Sequence, residues 1–242
     1  MRPLSDTDVV RVWEYGCRAS PARRAVALIA AAGDEGDDTR LTGLTPGERD
    51  ARLLSVRRTT FGRMLDCVAA CPSCGEQLEF TVDAMSLLPD GNADYSADTR
   101  PATLVESDYR VIVRPPTIGD LDQTGLPNAE TLLDRCVVHA EHEGRTIATS
   151  ELPASVVEAI DEHLGVADPA AIIELSMSCP ACTHSWKQLL DIAAFLWTEI
   201  SARAERLLSE VHALARAYGW SEPTILELGP ARRARYLELV RG

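Results

Sequence analysis

Seven cysteines occur in the chain, and four of them form two copies of one motif, Cys71-Pro72-Ser73-Cys74 and Cys179-Pro180-Ala181-Cys182. Each C-P-x-C spacing puts two thiols on a tight turn, close enough to hold one ion from one side. Two such turns facing each other supply four thiolates, which is the tetrahedral sulfur set of structural zinc. The two motifs therefore predict one structural zinc ion, with the ligands Cys71, Cys74, Cys179 and Cys182.

Paired thiols also form disulfides or redox sites, and the flanking sequence disfavours both. No apolar signal-peptide stretch or cleavage site opens the chain, so we expect a reducing cytoplasm, where disulfides are rare. A redox C-x-x-C normally opens a helix beside a strand, whereas Gly75 or Thr183-His184 follows these motifs. Cys67 and His184 stay open as alternative ligands, because each lies within four residues of a motif cysteine.

The remaining residue patterns give no catalytic signal. The chain contains no G-x-x-x-x-G-K-[ST], G-x-G-x-x-G, G-x-S-x-G or H-E-x-x-H motif. Four thiolates also fill the coordination of zinc and leave no position for a reacting water. His139 and His142, beside Glu141 and Glu143, form a loose group that is either a second metal site or a solvated turn at a helix end. We therefore expect no enzyme activity.

Alternating polar and apolar residues flank both cysteine motifs and predict that each motif lies at the tip of a β-hairpin. In this prediction residues 67–83 form the first knuckle hairpin and residues 171–190 the second. The other parts are an N-terminal helical region (1–66), an acidic inserted subdomain (84–170) and C-terminal helices (191–242). The predicted fold class is α+β: a helical body built from both termini, a split zinc ribbon of two β-hairpin knuckles, and an inserted, α-rich acidic subdomain.

Helix-capping signals divide the N-terminal region. They occur at three places: Ser5 with Asp8, Ser20 with Pro21, and Thr45 with Glu48. Residues 34–43 are acidic and contain glycine, so a loop is predicted there. Near the other end, Asp191 is predicted to cap the longest helix, in which apolar residues recur every three or four positions as far as Gly219. This apolar stripe is either buried against the N-terminal helices or exposed for a partner.

The insertion is predicted to contain mainly helices, with a strand or two. Residues 109–114 are a strand candidate, because β-branched and aromatic residues dominate them. One helix is predicted to begin at Pro127 and to carry Val137, and another to span 154–164 with a stop at Gly165.

The excess of acidic over basic residues lies in the insertion. Residues 83–178 contain 18 Asp and Glu residues against five Arg, which accounts for the whole formal net charge of −13. Nucleic-acid binding needs a basic footprint, so this distribution argues against it. The acidic surface is either a solvated face or a docking face for a basic partner. No run of 18 apolar residues exists, so the sequence predicts no membrane span.

The C-terminal sequence carries a resemblance to a known family. Residues 210–222 read E-V-H-x-L-A-x-x-Y-G-W-S-E, and I-L-x-L at 225–228 and R-R-x-x-Y-L at 232–237 follow. Together with Arg114-Pro115-Pro116-Thr117 and the helices that lead into Cys71, these segments resemble the T4-type baseplate hub assembly chaperone family of contractile-tailed phages and phage-tail-like contractile injection systems. The resemblance implies a non-enzymatic role in assembling the central baseplate hub or attaching it to the tail. Zinc is not implied by it and rests on the cysteine motifs alone.

The same C-terminal segment holds Trp, Tyr and Arg, the residue types that most often anchor interfaces. We expect partner-binding residues there: His212, Tyr218, Trp220, Arg232, Arg233 and Tyr236. Alternatively, Trp220 and Tyr236 only pin the last helix to the body. Charge reversal at Arg232 and Arg233 is expected to leave folding unchanged.

The resemblance also implies the partners and the compartment. The partners are baseplate hub, spike or tail-tube proteins, and neither nucleic acid nor a membrane is among them. The protein is expected in the cytoplasm, where the tail or injection particle is assembled. The alternative function is a zinc-ribbon adaptor or regulator that acts on nucleic acid or the transcription machinery.

Overall fold

A computed structural model of the chain describes residues 1–33, 38–92, 94–122 and 128–241, and it has an α+β fold. The helices are α1 (Asp6–Gly16), α2 (Pro21–Ala31), α3 (Asp38–Thr42), α4 (Pro46–Phe61), α5 (Ile118–Leu121), α6 (Ala129–Cys136), α7 (Ala154–Ala167), α8 (Ile192–Tyr218), α9 (Glu222–Leu226) and α10 (Pro230–Arg241). The strands are β1 (Met64–Ala70), β2 (Gln77–Asp83), β3 (Ala102–Glu106), β4 (Tyr109–Val113), β5 (Val137–His142), β6 (Arg145–Thr146), β7 (Glu174–Ser178) and β8 (Ser185–Leu189).

The capping signals predict the N-terminal helices correctly. The Ser5 hydroxyl accepts the Asp8 N–H at 3.1 Å, and the Asp8 carboxylate accepts the Ser5 N–H at 3.1 Å. Thr45 and Glu48 form the same reciprocal box before α4. The predicted loop at 34–43 is wrong in its second half, because residues 38–42 form α3; its first residues, 34–37, lie outside the described ranges.

The helical body is built from both ends of the chain. Helices α1, α2, α4 and α8 enclose a core that also includes the inner face of β1. Along α8 the apolar stripe is buried, at Ile192, Leu196, Ile200, Ala204, Leu207 and Leu214. The structure therefore supports the interpretation of this stripe as core. Gly219 follows α8 in the left-handed conformation, with φ of 69°, and ends the helix as predicted.

The insertion has a second, smaller core of its own. Strands β3, β4, β5 and β6 form an antiparallel sheet in that order. The core consists of Val111, Val113 and Ala140 from the sheet with Val156 and Ile160 from α7. Its four strands exceed the predicted strand or two.

Several boundaries in the insertion also differ from the prediction. Val137 begins β5 and does not continue the preceding helix, so His139 and His142 lie on a strand and not at a helix end. Helix α7 continues past Gly165 to Ala167. The predicted helix start at Pro127 lies outside the described residues, and α6 is observed from Ala129.

The two ends of the insertion meet at the N-terminus of α4. Asp168 is 3% exposed; its carboxylate accepts the Gly47 N–H at 2.9 Å and the Tyr95 hydroxyl at 2.6 Å. The Ser96 hydroxyl donates to the Glu48 carboxylate at 3.0 Å. A Cβ atom at Gly47 would lie 2.0 Å from the Asp168 carboxylate, so only glycine fits there. A carboxylate at a helix N-terminus is favoured by the helix dipole, and this contact fastens the insertion to the body.

Candidate metal centre

The two cysteine motifs lie at the tips of antiparallel hairpins, as their flanks predict. Strand β1 pairs with β2 from Met64 opposite Asp83 to Ala70 opposite Gln77. Strand β7 pairs with β8 from Glu174 opposite Leu189 to Ser178 opposite Ser185. The alternating side chains of these strands thus fix the register, and the cysteines fall in the connecting turns.

The two turns have the same backbone hydrogen bonds. The Cys71 N–H donates to the Glu76 carbonyl at 2.8 Å, and the Gly75 N–H donates to the Cys71 carbonyl at 2.9 Å. In the second turn Cys179 donates to the His184 carbonyl, and Thr183 donates to the Cys179 carbonyl, each at 2.9 Å. The turns are therefore two copies of one knuckle.

The residue after the second cysteine of each knuckle has a positive φ. Gly75 has a φ of 78° and Thr183 a φ of 59°. Glycine adopts this conformation without steric strain, whereas a β-branched residue adopts it at a cost. The Thr183 hydroxyl donates to the Cys182 carbonyl at 2.7 Å, which offsets part of that cost.

The four sulfur atoms form one compact cluster. The sulfurs of Cys71 and Cys182 lie 3.6 Å apart, as do those of Cys74 and Cys179, and all four lie within 4.8 Å of one another. A disulfide would bring two sulfurs to about 2.05 Å, so these cysteines are free thiols. Metal–sulfur bonds of about 2.3 Å in a tetrahedral site set the sulfur–sulfur distance at about 3.8 Å. The cluster therefore has the spacing that a tetrahedral metal ion requires.

The surroundings of Cys71 and Cys74 shift the pKa of each thiol. Burial tends to raise the pKa of Cys71, but the backbone N–H groups of Cys74 and Ser73 lower it to about 7. The Glu76 N–H lowers the pKa of Cys74, but the nearby thiols and burial outweigh it and raise that pKa to about 12. Sulfurs this close do not all ionise unless a cation lies among them, because like charges oppose each other's ionisation. A divalent cation is the group that fits this donor set.

The alternative ligands do not join the cluster. Among the described residues, the only group of Cys, His, Asp and Glu with metal-binding spacing is Cys71, Cys74, Cys179 and Cys182. Cys67 points into the body core and is 8% exposed, and burial raises its pKa. His184 stacks on Trp186, with 6.1 Å between ring centroids. On β5, His142 stacks on Tyr109 and His139 lies 3.8 Å from the Glu141 carboxylate, so neither belongs to a second cluster.

The three other cysteines lie outside the cluster. Cys67 and Cys136 are buried. Cys17 is exposed, because it caps the C-terminal end of α1 and its side chain points away from the core.

The predicted partner residues lie on α8, on α10 and, for Trp220, in the link that follows α8. Three of them form an aromatic cluster. Tyr218 stacks on Trp220 with 4.7 Å between ring centroids, and Tyr236 contacts both rings edge-on at 5.6 and 4.9 Å. Tyr218 is 38% exposed. Arg232 and His212 are exposed. The cluster thus pins α10 to the end of α8 and also presents ring surface to solvent.

Arg233 is not part of this surface. Its side chain is 2% exposed, pairs with Asp6 on α1, and lies 2.7 Å from the Glu210 carboxylate on α8. It also donates to the backbone carbonyls of Ile225 and Leu228. The expectation that charge reversal at Arg233 leaves folding unchanged is therefore wrong. A buried carboxylate there would lose both ion pairs and face the carboxylates of Asp6 and Glu210, while Arg203 already pairs with Asp6. Arg233 fastens the C-terminal helix to the body.

The fold and the cluster define an α+β protein in which two hairpins, distant in the chain, bring four thiols close enough to hold a metal ion. The chain belongs to the T4 bacteriophage base plate protein family, whose model matches residues 25–197. This match confirms the baseplate resemblance seen in the sequence. Neither the curated proteins nor the solved structures give a match to the chain.

The matched range contains both cysteine motifs and ends within α8. The aromatic cluster and the C-terminal motif therefore lie beyond it. No helix within the described ranges combines the length and the apolar character that crossing a membrane requires.

Proposed function

We propose that this protein is a non-enzymatic assembly factor for the baseplate hub, or a baseplate component, of a contractile phage tail or contractile injection system. The family match over residues 25–197 is the observation that carries this proposal. The protein acts by protein–protein contacts with hub, spike or tail-tube proteins, in the cytoplasm where the tail or particle is assembled.

Zinc is the ion that we propose for the thiol cluster, with Cys71, Cys74, Cys179 and Cys182 as its ligands. Four sulfurs with tetrahedral spacing are the donor set of structural zinc. Such a site has no open coordination position, so the ion would cross-link the two hairpins and would not activate water. This arrangement supports a structural role for the metal and a non-enzymatic role for the protein.

The ribbon alternative, a nucleic-acid adaptor, finds no support in the charge of the hairpins. Residues 64–83 and 171–190 together contain five Asp and Glu residues and one Lys. Lys187 already pairs with Glu174 at 2.6 Å. A phosphate backbone would meet four carboxylates at the first hairpin and no net positive charge at the second.

For the docking surface we propose the exposed side of the aromatic cluster together with Arg232 and His212. Aromatic side chains and arginines that are exposed in the free protein anchor interfaces when a partner buries them. Arg232 has no ion-pair partner among the residues that the structure describes, so its guanidinium is available to an acidic group of the partner. Arg233, in contrast, is excluded from this surface by its burial.

The test uses Arg232→Glu in the producing cell, with Arg206→Glu as the matched control. Arg206 is also an exposed arginine, and it lies on α8 about 18 Å from Tyr218 along the helix axis. Arg232→Glu should fold normally, fail to retain hub or spike components in a pull-down, and yield tails without complete baseplates. The control should behave as the wild type. Normal particles from well-folded Arg232→Glu protein would exclude this surface as the docking site.

A further inference from the structure

An open cavity of about 960 Å³ lies where α1 ends and α2 begins. Its lining includes the arginines Arg11, Arg18 and Arg23 and a single acidic residue, Glu14. The aromatic side chains of Trp13 and Tyr15 complete the wall, and Tyr15 is 53% exposed. Two of these arginines pair with carboxylates outside the lining, Arg23 with Asp122 and Arg11 with Asp8. The cavity is therefore aromatic and weakly cationic, on a chain whose formal net charge is −13.

The positive charge of this cavity is only partly neutralised within the chain. Arg11 shares the Asp8 carboxylate with Arg2, each at 2.7 Å, so one negative charge serves two guanidinium groups. The exposed guanidinium of Arg18 has no ion-pair partner within the described ranges. An anionic group from another molecule could pair with the guanidinium groups of both Arg11 and Arg18.

A complementary surface exists on the insertion. The buried face of α7 carries Val156 and Ile160, and its opposite face carries Glu158, Asp161 and Glu162, all exposed. These three carboxylates form no ion pair among the described residues. Like charges three and four positions apart destabilise a helix, so cations from outside the helix would relieve this face. At its end Val166 is 75% exposed and offers an apolar contact for an aromatic wall.

We propose that the cavity of one copy of this chain binds the acidic face of α7 of a second copy. Glu158 and Glu162, one turn apart, would pair with Arg11 and Arg18, and Val166 would pack against Tyr15. Because the two surfaces differ, the contact is head-to-tail and propagates into a ring or an open chain of copies. The contact is independent of the proposed baseplate role, since both of its halves lie on this one chain.

The test measures the association of the full-length, metal-loaded protein by sedimentation velocity over a range of concentrations. The wild type should associate reversibly. Arg11→Gln/Arg18→Glu, which alters the cavity, and Glu158→Lys/Glu162→Lys, which alters α7, should each raise the dissociation constant by about tenfold or more. Arg206→Glu, an exposed arginine outside both surfaces, should leave it unchanged. Circular dichroism melting confirms that each variant is folded.

The decisive experiment is sedimentation velocity on a mixture of the two double variants. Each retains one unaltered surface, and the two altered surfaces again have opposite charge, so the mixture should associate more tightly than either protein alone. Association that returns on mixing supports the head-to-tail contact. A monomeric wild type overturns the proposal, as does association that neither double variant weakens.

Discussion

The knuckles of Cys71–Cys74 and Cys179–Cys182 share their backbone hydrogen bonds, yet the hairpins beneath them differ in what covers them. In the first hairpin, Leu65 and Cys67 belong to the body core, and Phe80 and Val82 pack against it. In the second hairpin, Cys179 is the only buried residue between Glu174 and Leu189.

This difference predicts that the two hairpins depend on the proposed metal to different degrees. The second hairpin has little buried surface of its own, and an isolated two-stranded hairpin is only marginally stable in water. It is fixed at its base, where Leu190 donates to the Ile173 carbonyl at 2.9 Å, and at its tip by the sulfur cluster. The first hairpin is thus a preformed half-site, and we expect the second to depend on the proposed ion.

Metal removal has the largest expected effect on this contrast. Chelation should unfold the second hairpin and leave the helical body folded, because the body has its own core. Hydrogen exchange should accelerate strongly at the amides of β7 and β8 and only weakly at those of β1 and β2. Equal acceleration in both hairpins, or in neither, would contradict the proposed difference in support.

Truncation of one leucine in each hairpin should destabilise the metal-loaded protein to different extents. Leu65 is 0% exposed, so Leu65→Ala should lower the free energy of unfolding by about 2–5 kcal/mol through a core cavity. Leu175 is half-buried, and Leu175→Ala should lower it by only about 1 kcal/mol, because less area is lost. Urea unfolding measures both. Similar losses at the two positions would show that the hairpins are equally packed.

The smallest effect is expected at the left-handed position of each knuckle. Gly75→Thr should weaken the free energy of metal binding by about 1–2 kcal/mol through backbone strain alone, since no atom lies within 4 Å of the added Cβ. Thr183→Gly should strengthen it by at most about 1 kcal/mol, because the relief of strain is offset by glycine's entropy and by the lost hydroxyl bond to Cys182. Competition with a chelator measures both as metal affinity. Ser73→Thr, at a position with ordinary φ, is the control and should change little.

Local signals in the sequence predict the structure correctly. The capping boxes of Ser5 with Asp8 and Thr45 with Glu48 each span four residues, and the cysteine turns are equally short. The prediction from sequence is wrong where residues distant in the chain decide the structure. Val137 continues the helical pattern of Leu133 and Cys136, but pairing with Val113 on β4 places it in a strand.

The same limit applies to Arg233. In the sequence it looks like its neighbour Arg232, an arginine on an exposed final helix. Its burial depends on Asp6, 227 residues away in the chain, and on Glu210. Within residues 230–241, helical spacing places Arg233 on the same face as Tyr236, Leu237 and Val240, but it does not identify the acidic partners that allow its burial.

The most direct test of this account is the metal content of the purified protein. It predicts about one zinc per chain, lost in Cys71→Ser and in Cys179→Ser, because each substitution removes one of four thiolates. Cobalt(II) in place of zinc should show the absorption of a tetrahedral tetrathiolate site in the wild type only. Folded wild-type protein without metal, or either variant with a full complement of zinc, would contradict the claim that these two knuckles form one metal site.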